Sequence, residues 1–368
     1  MAEEQMPEAE VEELSILASP PALVSVLRKT REKARDELAP KIEEAAKLAR
    51  VLRSKLEVRE VGGLEAKFKT VAVDSTYTIP HLELIGGKLA VIVTGYVVAP
   101  REAAILPHYP IADVVFSDKE VGFENLVSRK SKEMELKIAI GLLKMKREGK
   151  ADFDLLALDG RILPPPHPYF TVHNVAKKFI KLAKETKTTV IGVVKRAHTR
   201  YLSTLAGREM PVNDKVVMSW ILGPGEYVSL GKLFNIIPNY VKYLVENKEE
   251  KRYVKTLEKH PELGEVEVFF YKSKMPTLYR QATKVELLNY GELSVDELMA
   301  YLINSTSPNG VPFFIDQVDE YVRFEARALG IIQQIIEAEL AKLRGVEGFV
   351  FSGYTNPQKA YLFRPPEV

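Results

Sequence analysis

The chain has 368 residues, 46% hydrophobic and 28% charged, with a formal net charge of +2. That mix supports a sizeable core and excludes a disordered chain, and the length fits one large domain or two ordinary ones. The absence of cysteine excludes disulfides, thiolate zinc sites and cysteine nucleophiles, and no apolar run reaches the roughly 18 residues of a membrane span.

Residues 1–20 hold six Glu and no Lys or Arg. They read as an acidic flexible tail, not a signal peptide, and they leave the rest of the chain basic enough to accept a polyanionic partner. Residues 21–62 read as a helical segment, with Leu23, Val26, Leu27 and later Ala45 and Leu52 as apolar positions and Pro40 as a kink. Residues 63–368 are expected to form one further domain. In it, Phe68 to Asp74 has strand character and ends in a carboxylate. Residues 82–86 and 88–98 suggest a hairpin at Gly86-Gly87, and Asp113 to Phe116 a third strand. A mainly helical stretch over 119–147 precedes a buried-type strand, Phe153 to Asp159. After the stiff Pro-Pro-Pro-His-Pro loop at 164–168 come a helix from His173 to Lys187 and a strand from Thr188 to Lys195. Meander, helix, strand, helix, strand is the order of a ribonuclease H-like mixed sheet flanked by helices. Residues 215–222, 265–272 and 277–289 read as additional C-terminal strands. Ser294 opens a helix through a capping box, and 316–344 read as a long helix closed by Gly345.

Asp74 and Asp159 each end a strand, where an α/β sheet presents side chains to a ligand. Glu135 lies on the intervening helix beside the apolar stripe Ile138, Ala139 and Leu142. Glu133 competes with it but points roughly 200° away. Three carboxylates on adjacent elements suit Mn2+ or Mg2+, and two such ions about 3.5–4 Å apart can activate water and steady the leaving oxygen of a phosphodiester. The plainer reading makes each Asp a turn or cap residue.

These residues resemble the motifs of the NurA nuclease family. Val71-Ala72-Val73-Asp74-Ser75 is similar to its first motif and Leu156-Ala157-Leu158-Asp159-Gly160 to its second. Glu135 occupies the place of its helix Glu, and Thr188 to Lys195 that of a Lys-bearing strand. Pro276-Thr277-Leu278-Tyr279-Arg280 resembles a Tyr-bearing strand, and Gly310 to Phe314 with Val322-Arg323-Phe324 the last motif. The resemblance covers about residues 65–330. It implies a ribonuclease H-like, Mn2+-dependent DNA nuclease that degrades strands 5′ to 3′ and cuts single strands internally. It also implies a homodimer that works with the hexameric ATPase HerA in DNA end resection and recombinational repair. By the same resemblance Asp74, Glu135 and Asp159 are metal ligands, and Lys195 and Tyr279 catalytic residues. Three positions depart from the pattern: Arg161 after Asp159-Gly160, Ser75-Thr76 after Asp74, and Asp319 where a His is usual. Asp319 can still complete a metal shell, with Asp316 as a second candidate, but it cannot donate a proton as an imidazolium would.

Lys195 at a strand end suits either a scissile phosphate or solvent. Arg196, His198, Arg200 and Arg208, with Tyr201 between them, suit single-stranded DNA, through phosphate neutralisation and base stacking. Tyr279 suits a water-positioning or stacking role, or a half-buried strand position. Trp220 reads as core. No Walker loop is present, so energy for strand movement has to come from a partner. Abundant Lys, Arg and Glu suit a hot environment, and a cytoplasmic, nucleoid-associated location is expected. The alternative function is a catalytically weakened NurA-like paralogue that serves as a DNA-binding or ATPase-docking subunit.

Overall fold

The computed structural model describes residues 20–79, 81–84, 87–100, 110–119, 121–162, 170–241, 261–276, 281–324, 326–340 and 342. The acidic tail, except its last residue, the proline-rich loop at 164–168, Tyr279 and Gly345 lie outside them. Two helices open the described chain, α1 (Pro20–Lys33) and α2 (Ala39–Arg53), joined by a π-helical turn, Ala34–Leu38. The irregularity expected at Pro40 falls just ahead of it. Proline has no N–H to give the carbonyl four residues back, so the preceding turn widens. α2 packs on the body through Ala45, Ala49 and Leu52, whereas Val24 and Val26 of α1 stay exposed.

Among the described residues ten strands follow in one sheet: β1 (Arg59–Glu60), β2 (Thr70–Tyr77), β3 (Leu82–Leu84), β4 (Gly87–Ala99), β5 (Ile111–Ser117), β6 (Leu155–Asp159), β7 (Thr189–Val194), β8 (Glu226–Lys232), β9 (Glu267–Tyr271) and β10 (Thr283–Asn289). The helices among and after them are α3 (Phe123–Arg147), α4 (Phe170–Glu185), α5 (Ser203–Ala206), α6 (Asp214–Ile221), α7 (Leu233–Val241), α8 (Val295–Asn304), α9 (Phe313–Tyr321) and α10 (Ala326–Leu340). The spatial order is β1-β8-β9-β10-β7-β6-β2-β4-β3, with β5 on the other edge of β4. β2, β4 and β5 pair antiparallel as a meander. α3 then carries the chain to β6, parallel to β2, and α4 carries it to β7, parallel to β6. A parallel neighbour needs such a crossover, and a helix supplies it. β10, β9, β8 and β1 extend the sheet antiparallel from β7.

Strand alternation divides the core into two layers. Val71, Val73, Leu156, Leu158 and Val190 face α2, α3, α4, α6 and α7. Ala72, Ala157, Ile191 and Val193 face α8 and α9. Both faces are covered, so the central strands read as continuous apolar runs. Among the described residues no helix is long and apolar enough to cross a membrane.

Several expected elements are corrected. Residues 215–222 are not a strand but α6. Asn213 caps it by accepting a hydrogen bond from Val216 N–H (3.1 Å), and Val217, Met218 and Ile221 share its buried face. Trp220 lies off that face and is 43% exposed, not core. Of the strand expected over 277–289, residues 277–280 lie outside the described residues, and the described strand runs from Thr283 to Asn289. The single long helix expected over 316–344 is two helices, because the chain leaves α9 at Val322, whose side chain is fully buried, before α10 starts. The Ser294 cap forms as expected, accepting from Glu297 N–H.

Candidate functional site

β2 and β6 run parallel with Val73 beside Leu158, so the next residues, Asp74 and Asp159, reach the carboxyl end of the sheet side by side. Alternation places both on the face of Ala72 and Ala157, under α9. β7 sets Val193 beside Asp159 and delivers Lys195 two residues later on the same face. α9 brings Asp319 in from above. Its close approach depends on Gly95, the β4 partner of Asp74, where a Cβ would lie 3.0 Å from the Tyr321 ring.

Carboxylate oxygens of Asp74, Asp159 and Asp319 all lie within 4.8 Å of one another and form a group able to hold a metal ion. The Lys195 ammonium bridges two of them, with Nζ 2.7 Å from Oδ2 of Asp159 and 2.7 Å from Oδ2 of Asp319. Glu135 arrives from α3, on the opposite sheet face. It is 3% exposed, stays outside the three-aspartate group and is ion-paired with Lys132. Ser75 ties this helix to the strand end, its Oγ 2.7 Å from Oγ of Ser131. Glu133 instead pairs with Lys137 along the helix.

Burial, then the charges of Asp159 and Glu135, push the Asp74 carboxyl up to about 8. Burial pushes Glu135 up to about 7 against the opposing pull of Lys132. Burial also raises Asp159, although Lys195 draws it down. Burial opposes the charge of Lys195, but Asp159 and Asp319 outweigh it and hold the ammonium above its ordinary value. Burial is the first cause in all three carboxyls, and the neighbouring carboxylates add to it against the pull of Lys132 and Lys195. An all-oxygen donor set in that condition fits a hard divalent cation.

Beside the cluster opens a cavity of about 380 Å³ lined by Lys195, Arg196, Lys215, Thr283, Asn309 and Asp319, among others. Arg196 is exposed at its edge. Lys215 donates to the Lys195 carbonyl (2.8 Å). Asp316, the second candidate for the shell, is engaged by Ser307 and Asn309. Arg200 lies partly exposed and paired with Glu209. Tyr201 corrects an expectation. It is 5% exposed within the core, with the Lys284 ammonium 5.0 Å from its ring centroid, so it offers no open face for base stacking. Lys132 and Lys215 were missed by sequence reasoning. Lys132 had a signal, a lysine three residues before a buried Glu. Lys215 had none once its helix was read as a strand.

The family model for the NurA domain matches residues 68–324. No curated protein sequence matches the chain. Among solved structures, the chain is similar to the crystal structure of the NurA nuclease from Sulfolobus solfataricus, with 13% identity and a TM-score of 0.58 over 87% of this chain and 98% of that one. It is also similar to a crystal structure of NurA with manganese, with 9% identity and a TM-score of 0.54 over 86% of this chain and 99% of that one. At these identities the likeness is one of fold.

Proposed function

The chain belongs to the NurA family, and from that premise we propose that it is a divalent-metal-dependent deoxyribonuclease that hydrolyses phosphodiesters of single-stranded or end-processed DNA. The observation that carries this reading is the convergence of Asp74, Asp159 and Asp319 within 4.8 Å at the ends of β2, β6 and α9. A solved relative of the same fold holds manganese. We assign Mn2+ as the preferred ion, with Mg2+ as the second choice.

Asp74, Asp159 and Asp319 would hold the cation, and Glu135 would support them from α3. When bound, Mn2+ would supply Lewis-acid chemistry, drawing charge from a phosphate oxygen and lowering the pKa of water so that hydroxide becomes available near neutral pH. Lys195 stays protonated and turns its ammonium to the phosphate, stabilising the charge that develops there. Lys132 limits the proton affinity of Glu135. Arg196 and Lys215 neutralise backbone phosphates along the cavity, and Arg200 extends that basic edge. We keep Tyr279 as a further catalytic candidate by its motif. Its place lies outside the described residues.

We further propose 5′ to 3′ exonuclease and single-strand endonuclease action, as a homodimer, with a HerA-type hexameric ATPase in DNA end resection inside the cell. The missing Walker loop supports the need for such a motor. The test is cleavage of end-labelled single-stranded DNA with EDTA, Mg2+ or Mn2+. Mn2+-dependent product with early release of a 5′-terminal label supports the proposal. No product from folded protein, with or without the ATPase, overturns it in favour of a docking subunit. The replacement of the family's His by Asp319 motivates that second reading.

Lys195→Met gives a sharper prediction. Removing the ammonium that now bridges Asp159 and Asp319 is expected to tighten Mn2+ binding while lowering kcat about 100-fold. Calorimetric titration and single-turnover cleavage check the two signs separately.

A further inference from the structure

Directly behind the site, on the opposite face of the sheet, lies a buried ionic cluster that the proposed chemistry does not use. Lys284 and Glu286 occupy alternate positions of β10 and are 0% and 2% exposed. Their Nζ to Oε1 separation is 3.2 Å. In register, Glu286 lies beside Gly192 of β7, which lies beside Leu158 of β6. Gly192 leaves room for the turn that follows Asp159 to fold back over the sheet. A Cβ there would stand 2.6 Å from the Gly160 carbonyl oxygen and 2.8 Å from the Ile162 nitrogen. Into that space Glu286 accepts a hydrogen bond from Ile162 N–H (3.0 Å) and pairs with Arg161 Nε at 3.6 Å.

The same cluster reaches the second half of the site. The Lys284 ammonium lies over the Tyr201 ring. The backbone N–H groups of Tyr201 and Leu202 donate to Asp214, at 2.7 and 2.9 Å. The next residue, Lys215, holds the Lys195 carbonyl. Breaking a buried pair by removing one partner is costly, so the pair is a stiff anchor for whatever it touches.

We infer that Glu286, with Lys284 as its counter-ion, is a positioning residue for the Asp159 carboxylate, acting through the Gly160–Ile162 turn. The inference rests on the reading of Asp159 as a cation ligand. It adds a reason why Arg161 stands after Asp159-Gly160: its guanidinium is part of the anchor. A supporting partner of this kind is expected to change metal affinity about 10–100-fold when lost.

The test compares Lys284→Met/Glu286→Gln with Lys284→Met/Glu286→Leu. Neither protein keeps the buried Lys–Glu charges, and residue 286 differs only in whether it offers an acceptor to Ile162 N–H. In the cation-free proteins, amide hydrogen exchange of the peptide spanning Gly160–Ile162 is expected to be at least about tenfold faster with Leu than with Gln. In Mn2+ titrations the Gln protein is expected within about threefold of wild type, and the Leu protein at least about tenfold weaker. Equal exchange and equal affinity in the two proteins overturn the inference. Should the Leu protein fail to fold, Gly192→Ala takes its place. Its added Cβ displaces the same turn and is expected to weaken Mn2+ binding about tenfold, and unchanged binding overturns the inference. Should wild type itself bind no Mn2+, the reading of the metal site fails, while the exchange comparison still decides whether Glu286 holds the turn.

Discussion

Asp74→Ala is expected to lower Mn2+-dependent cleavage of single-stranded DNA by about 100- to 1000-fold or more, with folding and DNA binding largely intact. Asp74 is 7% exposed and shares its cluster with Asp159 and Asp319, so its loss removes a central oxygen of the proposed cation site. The basic groups of the groove, Arg196 and Lys215, are untouched, so affinity for DNA should change little. Folding should not suffer, because the wild-type carboxyl is held in a position that disfavours its charge. Asp74→Asn, which keeps the shape, is accordingly expected to be more stable than wild type in EDTA at pH 8.5. Circular dichroism, filter binding and gel-resolved cleavage separate the three statements. Cleavage at the wild-type rate by either variant would remove Asp74 from the site.

The second large effect concerns pH. The raised carboxyls, Asp74 to about 8 and Glu135 to about 7, hold protons in the folded protein over a range where the unfolded chain has already released them. Asp159 behaves the same way. The folded state then binds more protons than the unfolded one, so stability falls as pH rises from about 4 through about 8. Lys132 and Lys195 face these groups and reduce the slope without reversing it. A tenfold difference in proton affinity between the folded and unfolded chain is worth about 1.4 kcal/mol, so ionising the raised Asp74 and Glu135 carboxyls costs several kcal/mol of stability, and Asp159 adds to it in the same direction. In EDTA the melting temperature is expected to drop by roughly 5 °C between pH 5 and pH 8.5. Mn2+ competes with those protons, so the rise in melting temperature that it produces should grow over the same interval. A flat profile in EDTA, or a Mn2+ effect larger at pH 5 than at pH 8.5, contradicts this account.

Both expectations concern residues that were legible before any coordinates. Asp74 and Asp159 each end a run of apolar strand residues, and strand periodicity is local enough to place them at carboxyl ends. Glu135 was legible as a carboxylate beside an apolar helical stripe, and it lies buried at the strand end. Asp319 was singled out by its place in a motif, and it joins Asp74 and Asp159 within 4.8 Å. The grouping differs in one respect. The three aspartates converge within 4.8 Å, while Glu135, close enough to raise Asp74, stands outside that group and pairs with Lys132.

The basic segment after β7 shows the opposite case. Arg196, Arg200 and Tyr201 look alike in the sequence as an interleaved nucleic-acid surface. Their environments differ because the chain turns between them: Arg196 borders the groove, Arg200 meets Glu209, and Tyr201 descends beneath Lys284. Lys215 is a similar case. Its segment is rich in β-branched residues, but the Asn213 cap and packing of Val217 and Ile221 against the core make it helical, which turns Lys215 back to the Lys195 carbonyl. Tertiary context overrides propensity in such short segments.

From sequence alone came the order of meander, helix, strand, helix, strand and the acidic residues at strand ends, because periods of 2 and 3.6 are written in neighbouring residues. Only the tertiary structure decided which charges meet. The parallel register of β2 and β6 sets Asp74 beside Asp159. The open space at Gly95 lets α9 lower Asp319 onto them, and that at Gly192 lets Glu286 reach the turn behind them. Each of these depends on contacts between residues about 85 or more positions apart or on a missing side chain at one crossing, and strand parity makes the placement of Asp74, Asp159 and Glu286 all-or-none, since a slip of one residue would send a strand's carboxylate to the other face.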